Sequence, residues 1–224
     1  MEIVPIARIK TDFDQKFGIP RQSGIAPHLQ GRIVFEPEFA NPDALRGIEG
    51  YSHLWLIWEF DGMARPERWQ PTVRPPRLGG NERMGVFATR SPNRPNSLGL
   101  SSVALERVEL STPEGPVLHV LGADLRNDTP IYDIKPYLPY ADAHPDAVGG
   151  FTDLEPRREV EVSFPEELAA KVPEGKRAAL VEVLRQDPRP RYHDDPERVY
   201  AMAFAGRDVR FTVAKGVLRV VSVG

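Results

Sequence analysis

The sequence predicts a mainly β chain, with a small antiparallel β-barrel N-terminal domain and a smaller α+β C-terminal domain. Three features point there: many short β-branched or aromatic runs bounded by Gly, Pro, Asn or Asp, few helical signals before residue 145, and a change of pattern after residue 153. Candidate strands are 3–9, 32–35, 53–60, 86–89, 101–110 and 117–121. Within 53–60, Leu54, Leu56, Trp58 and Phe60 alternate with His53, Trp55, Ile57 and Glu59, so both faces of that strand are largely covered. In 101–110, Val103 and Leu105 point one way and Val108 and Leu110 the other. This phase slip is expected of a β-bulge or barrel bend. Residues 41–46 form the one plausible helical turn of this half.

Pro145, Gly149 and Gly150 interrupt any regular pattern and set domain limits of 1–145 and 153–224. Beyond them the pattern gives a strand at 159–164, a helical stretch at 166–185 broken at Pro173, and strands at 199–204, 209–213 and 217–223. Ala214-Lys215-Gly216 supplies the turn between the last two.

Composition narrows the chemistry. With 224 residues and no cysteine, the chain can bury a proper core but has no disulfide, thiolate metal site or cysteine nucleophile. His28, His53, His119, His144 and His193 are scattered without ligand spacing, so no metal is expected. Phosphate-binding loops ending in Lys-Ser or Lys-Thr, G-x-G-x-x-G turns and G-x-S-x-G elbows are absent. No apolar run reaches membrane-spanning length, and the N-terminus lacks a signal-peptide pattern, so a cytoplasmic protein without membrane contact is expected.

The net charge of −3 argues against a generic nucleic-acid coat, yet charge is unevenly spread. Arg65, Arg68, Arg74, Arg77, Arg83, Arg90 and Arg94 are opposed only by Glu67 and Glu82. Such a local positive field suits docking of one RNA, and equally a solvated loop. Residues 61–85 are the longest stretch without clear secondary structure, a length usually reserved for function.

The segment FATRSPNRPNSLGLS at 87–101 concentrates donors on Arg90, Ser91, Asn93, Arg94, Asn96 and Ser97, while Pro92 and Pro95 stiffen it. Such a loop suits a carboxylate, phosphate or nucleotide. In residues 124–130, DLRNDTP, carboxylates and amides follow a strand. On their own they read as an Asx-type turn before they read as a ribose or adenine site. QDPRPRY at 186–192 is a second stiffened polar segment: Arg189 and Tyr192 there could pair with phosphate and stack on a base, or the prolines could simply rigidify a connection.

These blocks, together with PRQSG at 20–24, YSHLWLIWEF at 51–60, VRPPRLGGNERMG at 73–85 and DTPIYDIKPYLPYAD at 128–142, occur in an order that resembles the tRNA methyltransferase O, or TsaA-like, family. The resemblance implies S-adenosylmethionine as cofactor, the tRNA anticodon loop as partner, a homodimer, and methylation of the exocyclic nitrogen of threonylcarbamoyl-adenosine next to the anticodon. It also implies cofactor contacts at Arg21, Gln22, Ser23, Asp61, Gly62, Arg90, Leu100, Asp124, Leu125, Arg126 and Asn127. The chain departs from the family pattern at Asp61, where histidine is commoner, and at Asn127 and Asp128, which replace Asp and Gly. Asn and Asp both tolerate positive φ, so the turn can survive. Candidate RNA contacts are Arg74, Arg77, Arg83, Arg94, Arg189 and Tyr192. Asp133 is the candidate general base and Lys135 a candidate contact to the substrate's carboxylate or a phosphate; a turn-capping Asp and a surface Lys are the plain alternatives. The alternative functions are a non-catalytic RNA- or nucleotide-binding module, or a methyltransferase acting on a small molecule.

Overall fold

A computed structural model describes residues 2–60, 69–78, 82–154, 159–190 and 195–224. In chain order its elements are β1 (Ala7–Lys10), β2 (Gln30–Phe35), β3 (His53–Glu59), β4 (Thr72–Val73), β5 (Met84–Gly85), β6 (Leu98–Glu109), β7 (Val117–Leu121) and β8 (Thr129–Pro136), then α1 (Pro139–Asp142), α2 (Phe151–Leu154), β9 (Glu161–Ser163), α3 (Glu166–Ala169), α4 (Glu174–Arg185), β10 (Tyr200–Phe204), β11 (Arg207–Ala214) and β12 (Val217–Val223).

Six of these strands close an antiparallel barrel in the order β1-β2-β7-β6-β3-β8, with β8 returning to β1. The period of two decides which side chains fill it. Ile9 pairs with Ile33, Ile33 with Leu118, Leu105 with Val120 and Leu54 with Val103. Ile9, Ile33, Leu54, Leu56, Leu118, Val120 and Ile131 are fully buried inside it. The phase slip expected in β6 is a register shift between Leu105 and Arg107. The helical turn expected at 41–46 is a 3₁₀ turn, Pro42–Leu45, whose Asn41 side chain accepts from the Asp43 N–H.

The short β4–β5 pair and the one-turn helices α1 and α2 were not expected, and two longer departures bear on the barrel. Residues 86–88 form a 3₁₀ turn rather than a strand, because the Val86 N–H is taken by the Pro71 carbonyl and Thr89 Oγ1 donates to the Val86 carbonyl at 2.9 Å. Strand β8, which carries Pro130 and Pro136, was not among the expected strands. In the fold Pro136 sits in the outermost pair with β3, opposite Leu54, and Pro130 lies one residue beyond the Trp58–Ile131 pair at the other end. Neither interrupts the middle of the β3–β8 ladder, while on the other side Pro130 stands opposite Arg8 in the short ladder with β1.

The second sheet has the order β10-β11-β12-β9, with β9 parallel to β12, and α4 lays Ala179, Leu180, Val183 and Leu184 on it. Its hairpin loops Ala205-Gly206 and Lys215-Gly216 both have positive φ at two successive residues, the backbone of a type I′ turn. This core is not confined to the C-terminal half. Phe13, Ala26 and Leu29, from the connection between β1 and β2, are buried in it, and Phe13 meets Phe204 edge-on at 5.3 Å. The connection that carries Arg21, Gln22 and Ser23 is therefore held at both flanks by the second sheet.

Candidate functional site

Strand β6 outruns its neighbour β7: pairing with β7 begins only at Ala104, whereas pairing with β3 starts at Leu98. The edge at Leu98–Ser102, which no strand among the described residues pairs on the β7 side, is met by two loops. Ser23 Oγ accepts the Ser102 N–H at 3.2 Å, and the Gly24 N–H donates to the Gly122 carbonyl at 2.8 Å. A Cβ on Gly122, whose φ is 76°, would lie 3.1 Å from the Gly24 Cα, so the close approach of these loops calls for glycine.

At this rim a polar chain leads out of the barrel. Trp58 Nε1 donates to Ser101 Oγ at 3.0 Å, and Ser101 Oγ donates to Asp124 Oδ1 at 2.6 Å, with Ser101 itself fully buried. Burial pushes the Asp124 carboxyl above the usual aspartate range, opposed by the Ser101 hydrogen bond, the Arg90 charge and the Ser23 N–H. Arg90 in turn donates to the Gln22 side-chain carbonyl. Gln22, Ser23, Arg90, Ser101 and Asp124, drawn from four separate segments, thus form one constellation. Beside it Leu100 is 57% exposed on the outer face of β6 and offers an apolar wall.

The other expected cofactor residues are placed differently. Leu125 is fully buried in the barrel core, so only its backbone faces outward chemistry; its carbonyl accepts from Thr11 Oγ1 at 3.1 Å. Asn127 spends its side chain on the β1–β2 connection, accepting from the Thr11 N–H and donating to Asp14 Oδ1 at 3.0 Å. Arg126 stands between them in the same turn, its carbonyl accepting from Thr129 Oγ1 at 2.8 Å. Asp128 has φ 69°, the conformation that glycine would hold without cost, and its carboxylate is ion-paired to Lys10. That hydrogen bond holds the Asp128 carboxyl below its ordinary range. Arg21 is exposed at the loop's start. Asp61 and Gly62 lie outside the described residues.

Asp133 and Lys135 sit on β8, ion-paired to each other at 2.8 Å. Asp133 pairs with Ile57, and Ile57 with Leu100. Asp133 and Leu100 therefore share the outer barrel face two strands apart, roughly 10 Å. Of the expected RNA contacts, Arg74 and Arg83 line one cavity with Gln70, Thr72 and Val73 around the β4–β5 pair, and Arg83 donates to Thr72 Oγ1 at 3.1 Å. Arg94 is turned inward on its own loop, donating to the Val86 and Thr89 carbonyls. Arg189 is bound by Nε to both oxygens of Asp187. Arg77 falls in a 3₁₀ turn, Pro76–Leu78, with its side chain outside the described set, and Tyr192 lies outside the described residues. No cluster of metal-ligating residues occurs among the described residues.

Sequence inspection missed Ser101 and Trp58. The available signal was a hydroxyl at an inward position of an otherwise apolar strand, which demands a buried partner.

Fold and site together define a closed β-barrel protein whose rim gathers a carboxylate, a guanidinium and an exposed leucine, and comparison with known proteins gives its family. Residues 8–143 match the tRNA-methyltransferase O N-terminal domain and residues 157–224 the TrmO C-terminal domain. The chain belongs to the tRNA-methyltransferase O family. It is 49% identical over 174 residues, 77% of this chain and 97% of the relative, to a tRNA (adenine(37)-N6)-methyltransferase of Eikenella corrodens. Identity is 40% to the enzyme of that name from Escherichia coli, covering 93% of this chain and 91% of the relative. A crystal structure of TrmO from Pseudomonas aeruginosa superposes over 100% of this chain and 96% of the other, with a TM-score of 0.80 and 34% identity.

Proposed function

We propose that this family member transfers a methyl group from S-adenosylmethionine to the exocyclic nitrogen of threonylcarbamoyl-adenosine next to the anticodon of tRNA. Residues 1–145 act as the cofactor-binding domain and 153–224 as a C-terminal domain, and the active species is a cytoplasmic homodimer. The observation that carries the proposal is the convergence of Gln22, Arg90 and Asp124 at one barrel rim.

The residues present fit the cofactor. Arg90 offers a guanidinium for an α-carboxylate, Asp124 a carboxylate oxygen for ribose hydroxyls or the adenine amino group, and exposed Leu100 an apolar surface for the base. When bound, the cofactor supplies an electrophilic methyl group. The protein's task is then positioning. The reacting nitrogen is part of a urea-like linkage and a poor nucleophile, so nitrogen, methyl and sulfonium must be held in line. Asp133, on the same outer face as Leu100, is the group we assign to accept or hydrogen-bond the N–H proton, and Lys135 beside it pairs with the substrate's carboxylate or a phosphate. Arg74 and Arg83 hold the RNA backbone. No helix among the described residues is long and apolar enough to cross a membrane.

The test is mass spectrometry of nucleosides from threonylcarbamoylated tRNA incubated with the protein and S-adenosylmethionine. A methylated threonylcarbamoyl-adenosine is expected. Methylation of unmodified adenosine alone, or of no tRNA nucleoside, would overturn the assigned substrate.

A further inference from the structure

Phe87 is 69% exposed and Trp69 40% exposed, yet the two rings are not scattered surface residues. Their centroids lie 5.9 Å apart with planes 31° from parallel, and the Arg94 guanidinium lies over the Phe87 ring at 5.7 Å. The group is built to stay in place. Val86, immediately before Phe87, is 1% exposed, and its N–H is fixed to the Pro71 carbonyl at 2.9 Å. Arg94 is clamped from below by the carbonyls of Val86 and Thr89, at 3.2 and 2.8 Å. The buried valine anchors the turn, so Phe87 is held outward when an apolar ring would gain by burial. Three residues on, Arg90 joins the cofactor constellation.

We propose that the Phe87–Trp69 pair is a stacking platform for an unpaired base of the RNA substrate, a role distinct from the phosphate contacts of Arg74 and Arg83. The inference rests on the tRNA reading above. Charge selects the occupant: by sequence, residues 69–78 and 82–97 carry Arg74, Arg77, Arg83, Arg90 and Arg94 against Glu82 alone, a local excess of positive charge suited to a polyanion. An aromatic face backed by a guanidinium accepts any base, and the splayed bases of an anticodon loop are available for it. Stacking here would also hold the RNA close to Arg90, and so bring the neighbouring nucleotide to the methyl donor.

The test is fluorescence anisotropy of a labelled anticodon stem-loop RNA with the full-length protein, for the parent, Phe87→Leu and Phe87→Tyr, at several salt concentrations, beside cofactor calorimetry and sedimentation. Phe87→Leu is expected to weaken RNA binding by about tenfold to a hundredfold. Phe87→Tyr should restore it. The salt slope should stay as in the parent, because stacking releases no counterions. Unchanged RNA affinity in Phe87→Leu overturns the platform and leaves the methyltransferase reading intact. Loss of cofactor binding in that variant assigns the ring to the cofactor, and a changed oligomeric state at unchanged RNA affinity assigns it to a second copy of the chain; either result overturns the platform. A parent protein that binds no RNA overturns the tRNA reading and the platform together.

Discussion

Lys176 on α4 and Asp12 beyond β1 meet at 2.8 Å, with side-chain exposures of 25% and 13%, so an ion pair shielded from water ties the C-terminal module to the connection that delivers Gln22 and Ser23 to the site. The Asp12 carbonyl also accepts the Ala205 N–H at 2.9 Å, and the Glu182 carboxylate of α4 accepts the His28 N–H at 3.0 Å near the connection's other end. The loop proposed to hold the cofactor is thus suspended between two points on one helix. Lys176→Met leaves a mostly buried carboxylate without its partner and is expected to cost about 1.5–3 kcal/mol of stability. It should also weaken S-adenosylmethionine binding severalfold, through the loop alone. Denaturant unfolding together with calorimetry checks both effects, and a folded variant with parental cofactor affinity would show that the helix does not position the loop.

The Trp58–Ser101–Asp124 chain predicts a stability effect with a chemical signature. In Ser101→Ala the Trp58 N–H loses its buried acceptor and the Asp124 carboxylate loses a donor, at a cost of about 1–3 kcal/mol. The substitution should move the Asp124 carboxyl further upward, since the Ser101 hydrogen bond is what opposes burial most strongly there. Carboxylate titration by NMR in both proteins measures the shift, and a downward movement in the variant contradicts the assignment.

Asp124 also fixes a pH dependence. Its carboxyl is raised in the folded protein, so the folded state binds more protons than the unfolded chain, and its contribution to stability is greatest in acid and declines as pH rises through the raised value. Cofactor binding should run the opposite way. A carboxylate that accepts ribose or adenine hydrogen bonds loses acceptor capacity on protonation, so affinity is expected to fall as the solution is acidified, at a pH above the usual aspartate range. Asp124→Asn should bind weakly and without that acid limb. A parental protein whose affinity is flat across the acid range would remove Asp124 from the cofactor's contacts.

How far the sequence foretold this site follows from what each signal measures. Period-two patterning reports burial, so β3, β6 and β7 were legible, as was the slip in β6 that became the Leu105–Arg107 register shift. Strand β8 carries two prolines, and the cost of a proline in a strand depends on which neighbour needs the missing N–H, which the local sequence does not show. The donor-rich Arg90 loop was legible from its own residues and the Gln22–Ser23 loop only by resemblance, but the meeting of Gln22, Arg90 and Asp124 depends on barrel closure, a non-local event with no signature in any single segment. Asn127 shows the complementary limit. Its position in the turn was visible, but not that its amide is engaged by Thr11 and Asp14.

Gly99 is predicted to be the least replaceable residue of the central motif. A Cβ there would lie 2.4 Å from Trp58 Cε2, inside a ring that is itself fixed by Ser101 and packed on Phe60 at 4.3 Å. Gly99→Ala should therefore cost about 1–3 kcal/mol by overpacking and displace the indole, weakening the Ser101 link to Asp124. Thermal unfolding and Trp fluorescence report the two effects, and an alanine variant with parental melting and emission would show that the indole has room to move.

The last prediction separates RNA docking from cofactor binding. Arg74 and Arg83 line one cavity on the β4–β5 pair, whereas Arg90 is hydrogen-bonded to Gln22 at the barrel rim. If the two guanidinium groups contact phosphates, replacing both by Ala releases fewer counterions on binding, so the logarithmic salt slope of tRNA affinity should fall by about 2. The loss of affinity should be much the same for different tRNA sequences, because phosphate contacts carry no base information. Cofactor affinity should stay at the parental value, since neither residue touches the Gln22–Arg90–Asp124 constellation in the contacts described. The measurement is tRNA binding across a salt series with parallel cofactor titration. A double variant with parental affinity and slope would remove this cavity from the RNA surface, and loss of cofactor binding alongside tRNA binding would mean that the β4–β5 pair serves the cofactor site instead.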